Sequence, residues 1–371
     1  MAKILALVSF KIFPAHMGGQ KHVALFYEYL NRHHPVYMLA SNDNIEAIDA
    51  SYPVETLLYP NKKMMSNYGL VKEIEYIIER EKIDCIIAEH SYTGWLGHLL
   101  RKKTKKPFII HSHNLEVYRF KQMKRRGWWM YKPYEKWVHR TANHSFFISQ
   151  EEMGIAMKEF GLKNDKCSVS PYGIEKPATI EDAKQKVREK YNLTTQYIFH
   201  FNGTMDYEPN MDAVNYLVKE IGPRLEKSGI DHTIVISGKR LPESLQKKVK
   251  GSRNIVYLDF IEDINAMYQA SHIFLNPVVN NSGVKTKLVE ALANHCTVVS
   301  TASGASGIPK NCYEGKMFIA RDQDWNEFCL LVLAQLENKA PVPPEFFNYF
   351  SWHNIAVHAA GVIDQIVQDA G

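Results

Sequence analysis

Lys285, Lys287 and Glu290 follow directly on the turn-forming run Asn280, Asn281, Ser282 and Gly283. A turn that feeds a helix leaves the first helical N–H groups unpaired and pointing outward, which makes an anion site. Lys285 and Lys287 add full positive charges at that mouth. Glu290 lies one turn further on, on about the same face as Lys287 and Thr286. A carboxylate is a poor phosphate ligand but a good acceptor for sugar hydroxyls. The stretch therefore reads as a nucleotide site, with phosphates at the turn and ribose at Glu290. A plain strand–turn–helix unit has the same local pattern, and the chain has no Walker-type loop.

A second group lies in the first half of the chain. Glu89, His90, His113 and Glu116 all fall where apolar strand runs end. His111 and His113 are two apart and share a face if their segment is a strand. A metal site needs further ligands at recognisable spacing, and none is evident, so no metal is assigned. A polar contact or an acid/base role is expected of His113, with simple polar lining as the alternative. Gly18 and Gly19 stand between a strand run and a helix pattern. There, glycine either lets a ligand approach the backbone or serves an ordinary turn. The pattern is not the dinucleotide fingerprint.

The elements that must hold these residues alternate along the chain. Apolar strand runs at 3–10, 36–40, 84–88, 107–110 and 146–149 are separated by helix patterns, such as 71–81, 95–102 and 151–160. A second series begins at Tyr197, with strands at 197–201, 232–237, 255–260, 272–277 and 296–300. Helix patterns fall at 211–227, near Leu245, and at 264–269, 286–295, 325–336 and 351–367. Such alternation predicts parallel, doubly wound sheets, whose ligands sit beyond the strand C-terminal ends. The polar stretch 164–196, with Pro171, Gly173 and Pro177, is the natural boundary between two domains.

The chain has 371 residues, 45% of them apolar and 23% charged, with net charge +5. This is ordinary globular composition, and the mild basicity suits an anionic small molecule or an acidic membrane surface. No nucleic-acid module is present, and nucleic acid is not expected as a partner. Five widely spaced cysteines in apolar runs imply buried free thiols in a reducing compartment. No run approaches the roughly 20 apolar residues of a membrane span, and no signal peptide is evident. A cytoplasmic location is expected, at or near the inner face of the membrane.

The segment 118–140 interleaves Arg119, Lys121, Lys124, Arg125, Arg126, Lys132 and Lys136 with Phe120, Trp128, Trp129, Tyr131, Tyr134 and Trp137. Two readings fit. Indoles and cations suit a bilayer interface with anionic head groups. Alternatively, the aromatics pack under a surface helix whose cations face water. Gly127 and Pro133 should interrupt any single helix here.

Four motifs, in order, resemble the family-4 retaining glycosyltransferases. They are Met17-Gly-Gly-Gln-Lys-His-Val, Ser170-Pro-Tyr-Gly-Ile, Phe201-Asn-Gly-Thr-Met-Asp-Tyr-Glu-Pro-Asn-Met-Asp-Ala-Val, and Gly283-Val-Lys-Thr-Lys-Leu-Val-Glu-Ala-Leu-Ala with Thr297-Val-Val-Ser-Thr. The resemblance implies an α/β, GT-B fold: two doubly wound Rossmann-like domains facing a central cleft. The implied domains are 1–170 on the acceptor side, 171–345 for the donor, and 346–371 as a helix crossing back to the first domain. The implied activity moves a hexose from a nucleotide-diphosphate sugar to a glycan or lipid-linked acceptor with retention, in cell-envelope polysaccharide synthesis. No cofactor and no metal are expected.

By the same resemblance, Glu290 would hold the ribose hydroxyls, and Lys287 occupies the family's basic position. His113 would stand near the donor sugar. Gly203, Ser282, Gly283, Val284 and the backbone after them would meet the diphosphate or sugar, with Gly18 and Gly19 at the first domain's turn. Phe260 and Ile261 lie where the family grips the base. Two departures matter. The position eight before Glu290 is Ser282, so the first carboxylate of the family's pair is missing. The opening loop of the second domain lacks the usual cations, for which Lys239, Arg240 and Lys285 are replacements. A GT-B nucleotide-sugar 2-epimerase using Glu89 and Glu116, or a degenerate, non-catalytic nucleotide-sugar-binding GT-B protein, are the alternatives.

Overall fold

The computed structural model describes all residues except 16–17, 45–48, 280–282 and 371, and the side chain of Lys62. Two compact units emerge, one of Met1–Gly173 with Phe350–Gly371 and one of Ile174–Tyr349.

The first unit is a seven-stranded sheet. Its strands are β1 (Ile4–Val8), β2 (Val36–Ser41), β3 (Val54–Leu58), β4 (Cys85–Glu89), β5 (Phe108–Ser112), β6 (His144–Phe147) and β7 (Cys167–Val169). They pair in parallel in the order β3-β2-β1-β4-β5-β6-β7. Every residue of β1, β4 and β5 is buried, because helices cover both faces of a parallel sheet. The helix Val71–Arg80 shows how the sequence achieves this. It buries Val71, Ile74, Ile77 and Ile78 along one stripe and leaves its charged residues outside the core. The order reverses between β1 and β4, which places a ligand crevice beyond the C-terminal ends of these strands.

The last helix, Trp352–Ala370, joins this unit by packing Trp352, Ile355, Ala359 and Ile363 into the cluster of Val23, Phe26, Tyr27 and Leu30. Trp352 is fully buried, which stabilises the contact by on the order of 2–3 kcal/mol. Nε2 of His34 lies 3.2 Å from the Ala360 carbonyl on the same seam.

The second unit has six parallel strands: β8 (Tyr197–Asn202), β9 (His232–Ser237), β10 (Ile255–Leu258), β11 (Ile273–Asn276), β12 (Thr297–Thr301) and β13 (Met317–Ala320). Their order is β10-β9-β8-β11-β12-β13, so the switch point falls between β8 and β11. At the end of β9, Gly238 has φ 133°, and a Cβ there would lie 1.8 Å from the Gly203 carbonyl oxygen. Only glycine permits this approach, and it locks the loops after β8 and β9 together. Two hydrogen bonds complete the seam, from Gly203 N to Ser237 O (3.1 Å) and from Met205 N to Lys239 O (3.0 Å).

The structure adds elements that the sequence reading left out and corrects others. The short strands β3, β7 and β13 carry weak patterns. The boundary stretch 164–196 contains β7 and the helix Ala183–Tyr191, which buries only Ala183 and Val187 and so reads as polar. Helix begins at Glu208 rather than 211, with Pro209 in its first turn, where a missing N–H is harmless. Pro133 is tolerated for the same reason. It lies in the first turn of the helix Tyr131–Thr141, so the interruption in 118–140 falls at 123–127 instead, where Lys124 (φ 51°) and Gly127 (φ 76°) turn the chain. All five cysteines are free and buried. Among the described residues, no helix is long and apolar enough to cross a membrane.

Candidate active site: two polar clusters at strand ends

In the first unit a polar cluster forms where β4 and β5 end. Glu89, the last residue of β4, is fully buried. Its Oε1 accepts hydrogen bonds from Tyr27 OH (2.6 Å) and His111 Nδ1 (3.0 Å). Its Oε2 lies 2.6 Å from His113 Nε2. Burial alone would raise the Glu89 carboxyl. The two histidines outweigh burial and hold it well below the usual carboxylate range. Burial, then the neighbouring His90, pulls His113 down to about 4, against the opposing pull of Glu89. At neutral pH the site is thus a carboxylate facing the neutral imidazole of His113. This short contact favours the tautomer of His113 with its proton on Nε2, which leaves Nδ1 as the acceptor.

His113 therefore sits in a built site, and its ring is fixed on two sides. His22, from the helix Gly18–Leu30, packs against it with ring centroids 4.5 Å apart, and His90 with centroids 4.3 Å apart. His90 has φ 61° and ψ 168°, a strained backbone held by its N–H to the His111 carbonyl (2.8 Å). Such strain costs on the order of 1–3 kcal/mol and concentrates at functional sites.

A second buried carboxylate, Glu116, receives Tyr92 OH and Arg119 (Nε at 2.8 Å), with His90 Nδ1 at 3.3 Å. Burial raises its carboxyl, but His90 and Arg119 prevail and set it at about 2. A third, Glu135, accepts the backbone N–H groups of Glu116 (2.8 Å) and Val117 (2.9 Å) and the Ser91 hydroxyl (3.1 Å). Burial pushes it up to about 7 despite these donors. It caps the helix Glu116–Gln122 from a neighbouring helix.

His22, His111 and His113 bring one nitrogen each to within 4.8 Å of one another, a donor set of the type that holds divalent transition metals. Neither nitrogen of His22, nor Nε2 of His111, has a hydrogen-bond partner among the described residues. The sequence offered two of these ligands, and the third comes from another element.

In the second unit, the helix Thr286–Ala293 presents Lys287 and Glu290 at the switch point. Lys287 Nζ donates to Asn210 Oδ1 (2.7 Å) and lies 4.3 Å from the Phe201 ring centroid. Burial, then the charge of Lys285, pulls the Lys287 ammonium down to about 7, and Glu290 opposes this. Asn210 is fixed by Nδ2 to the Thr204 carbonyl (2.9 Å), and a Cβ on Gly203 would lie 2.5 Å from that same nitrogen. Gly203 is therefore needed for the loop to reach Asn210. Glu290 Oε2 accepts from Tyr268 OH (3.3 Å), and Tyr268 OH accepts from Asn202 Nδ2 (2.8 Å).

The remaining sequence-selected residues divide as follows. Gly283 has φ 63°, and Lys285 Nζ donates to its carbonyl (2.9 Å). Val284 lies between them, half-buried. Lys239 sits 4.5 Å from the ring centroid of Phe260, which is exposed, whereas Ile261 is buried. Arg240 is exposed and ion-pairs with Asp206 at 3.2 Å. Gly18 and Gly19 open the first helix, and a Cβ on Gly19 would meet nothing within 4 Å among the described residues. Ser282, and with it the question of the first family carboxylate, lies outside the described residues, as do Asn280, Asn281 and Met17. Sequence reasoning passed over Tyr27, Asn210 and Tyr268. Asn210 stands inside a quoted motif, but nothing local distinguishes it from a turn residue.

Residues 17–176 match the family model "Glycosyltransferase Family 4", and residues 196–338 match "Glycosyl transferases group 1". A 44.6 kDa protein in the cps region of Klebsiella pneumoniae is 22% identical over 381 residues, covering 95% of each chain. Sucrose-phosphate synthase from Thermosynechococcus elongatus superposes with TM-score 0.78 at 16% identity, over 99% of this chain and 100% of that one. The Anabaena protein HepE in complex with UDP-glucose gives TM-score 0.65 at 16% identity, over 100% and 98%. The fold expectation holds: both sheets are those of a GT-B protein. With the family models matched in both halves, the chain belongs to the group 1/family 4 glycosyltransferases.

Proposed function

We propose that this protein transfers a hexose from a UDP-sugar to a glycan or lipid-linked acceptor, with retention, in the synthesis of a cell-envelope polysaccharide. The observation that carries the reading is the pairing, on one helix, of Lys287 with Asn210 and of Glu290 with Tyr268 at the switch point of the second sheet. Glu290 is positioned to take the ribose hydroxyls, and Lys287 the diphosphate. Developing charge on a diphosphate leaving group is stabilised by cations already in place. On the first unit, His113, oriented by Glu89, offers a neutral imidazole with a free acceptor nitrogen. The UDP-glucose complex of HepE supports uridine as the base, and the cps region of the Klebsiella relative supports a polysaccharide product. The epimerase reading is disfavoured because Glu89 and Glu116 are both buried, ionised and held by protein donors.

A thermal-shift panel of UDP, GDP, ADP and dTDP with their sugars tests this. A ligand at a hundredfold excess over its dissociation constant stabilises by about 2.7 kcal/mol. A shift with the uridine forms alone, and an α-linked product from an α-linked donor by proton NMR, are expected. Shifts without turnover on any glycan or lipid-linked acceptor would turn the reading to a non-catalytic binding protein.

Lys287 provides a separate check. In the free protein its ammonium titrates near 7 instead of the ordinary 10.5. A bound diphosphate restores the charged form, so between these values the complex holds a proton that the free protein lacks. UDP binding at pH 8 should therefore take up close to one proton, and affinity should fall by up to about tenfold per pH unit above 7. Calorimetry in buffers of different ionisation enthalpy measures the uptake, and Lys287→Met should abolish it.

A further inference from the structure

The segment Tyr118–Arg140 holds eight Lys or Arg and one acid, Glu135. Glu135 is buried and spent on backbone N–H groups. Arg119 is paired with Glu116, and Lys132 with Glu159. Lys121, Lys124, Arg125 and Arg126 are exposed and make no ion pair with the described residues. Nothing in the proposed sugar transfer uses them.

Two of these cations, Arg125 and Arg126, line a cavity of about 590 Å³, within the range of ligand sites. Arg119, Arg125 and Arg126 line it together with Trp128, Met130 and Met64, and no carboxylate is among its walls. Arg119 is anchored by the buried Glu116, and Arg125 stacks on Phe120 at 4.5 Å. The guanidinium forks are therefore partly pre-set, the arrangement that binds phosphate oxygens in pairs. Large apolar side chains in the lining and beside it in the chain are open to solvent: Met130 at 68%, Trp129 at 59%, Met123 at 57%, Met65, next to Met64, at 65%, and Tyr68 at 68%. A site for a soluble anion has no use for such a rim. A bilayer interface has, since indoles and thioethers enter it while cations meet head groups.

We propose that this cavity receives the phosphomonoester or diphosphate head group of a membrane lipid, with Trp129, Met130, Met65 and Tyr68 seated in the interface. The proposal rests on the transferase reading in one respect only, that this lipid is the carrier of the acceptor. Arg125 and Arg126 bring two charges that no ion pair among the described residues offsets, which match a terminal phosphate better than a phosphodiester. The site therefore discriminates head groups rather than merely sensing negative surface.

Vesicle flotation of the full chain tests it. The vesicles are phosphatidylcholine alone, phosphatidylcholine with phosphatidylglycerol at about 4:1, and phosphatidylcholine with phosphatidic acid at the lower fraction that gives the same zeta potential, because a phosphomonoester carries more than one charge near neutral pH. Binding should be weak to the first, clear to the second and several-fold stronger to the third. Arg125→Ala with Arg126→Ala, both exposed positions, should lower partition by about tenfold or more and erase the preference for phosphatidic acid. Trp129→Ala should weaken binding to all three. Equal binding to the two anionic vesicles, or a double variant that keeps the preference, overturns the head-group site. Binding of glycerol 3-phosphate in solution without vesicle binding also overturns it, in favour of a soluble phosphate. The UDP-induced thermal shift, read on the same variants, should be unchanged. A wild-type chain that selects phosphatidic acid yet shifts with no nucleotide would sink the transfer reading and leave this site standing.

Discussion

Glu290→Ala should weaken UDP-sugar binding by about 10²–10⁴-fold, because two ribose hydroxyl bonds to a carboxylate contribute roughly 1.5–3 kcal/mol each. Glu290 is only half-buried, so the fold should tolerate the change, and the melting temperature without ligand should hardly move. Its carboxylate is aimed by Tyr268 OH at 3.3 Å. Tyr268→Phe keeps the ring packing and removes that donor, and should therefore cost less, about tenfold in affinity. Titration calorimetry with UDP and the UDP-sugar reads both. Unchanged affinity in Glu290→Ala would place the ribose elsewhere.

The second large effect is expected at Glu89. Glu89→Ala leaves Tyr27 OH, His111 Nδ1 and His113 Nε2 without their shared acceptor in a dry interior. Destabilisation on the order of 3 kcal/mol or more should follow, since each buried orphan costs about 1–3 kcal/mol. Glu89→Gln is the more informative change. The amide can still accept from Tyr27 and His111 through its oxygen, but its NH2 then faces His113 Nε2. His113 must become the acceptor at Nε2 and carry its proton on Nδ1. Transfer should drop by about 10²-fold, with donor binding retained, and nitrogen NMR of the ring should report the inverted tautomer. A merely structural role for Glu89 would leave the tautomer of the folded Gln variant unchanged.

The sign of the pH effect follows from the lowered carboxyl. The Glu89 contribution is complete above its ordinary value of 4.5 and is lost as pH falls toward its much lower folded-state value. The stability gap between wild type and Glu89→Gln should therefore narrow in acid. Urea unfolding at pH 7 and at pH 4 measures it. A gap that widens in acid would mean that the carboxyl is protonated in the native state.

Much of this molecule was written in local pattern. Apolar runs such as Ile4–Val8 and Cys85–Glu89 are parallel strands because only a doubly covered sheet buries both faces of a strand. Lys287 and Glu290 share a helix, so helical period alone brings them to one end of it. Glycines at 203, 238 and 283 marked loops that a side chain would block or strain. Short strands such as Val54–Leu58 escaped notice because partial exposure dilutes their pattern.

Tertiary packing decided what those residues do. Glu89 meets Tyr27 across 62 positions, and Lys287 meets Asn210 across 77. No period or propensity spans such distances; β4 and the first helix meet only because the sheet order reverses beside β1. Three carboxylates of one type, Glu89, Glu116 and Glu135, end in two protonation regimes: imidazoles, joined at Glu116 by a guanidinium, hold the first two ionised, whereas burial prevails over the backbone N–H donors at Glu135. The basic–aromatic segment shows the same division. Its composition announced cations and indoles, but only the fold gathered three arginines around one cavity with Asn61 and Met64 and left Trp129 and Met130 open to solvent. Charge and hydrophobicity are properties of the chain, whereas desolvation and direction belong to the fold, and the chemistry of a site depends on the latter two.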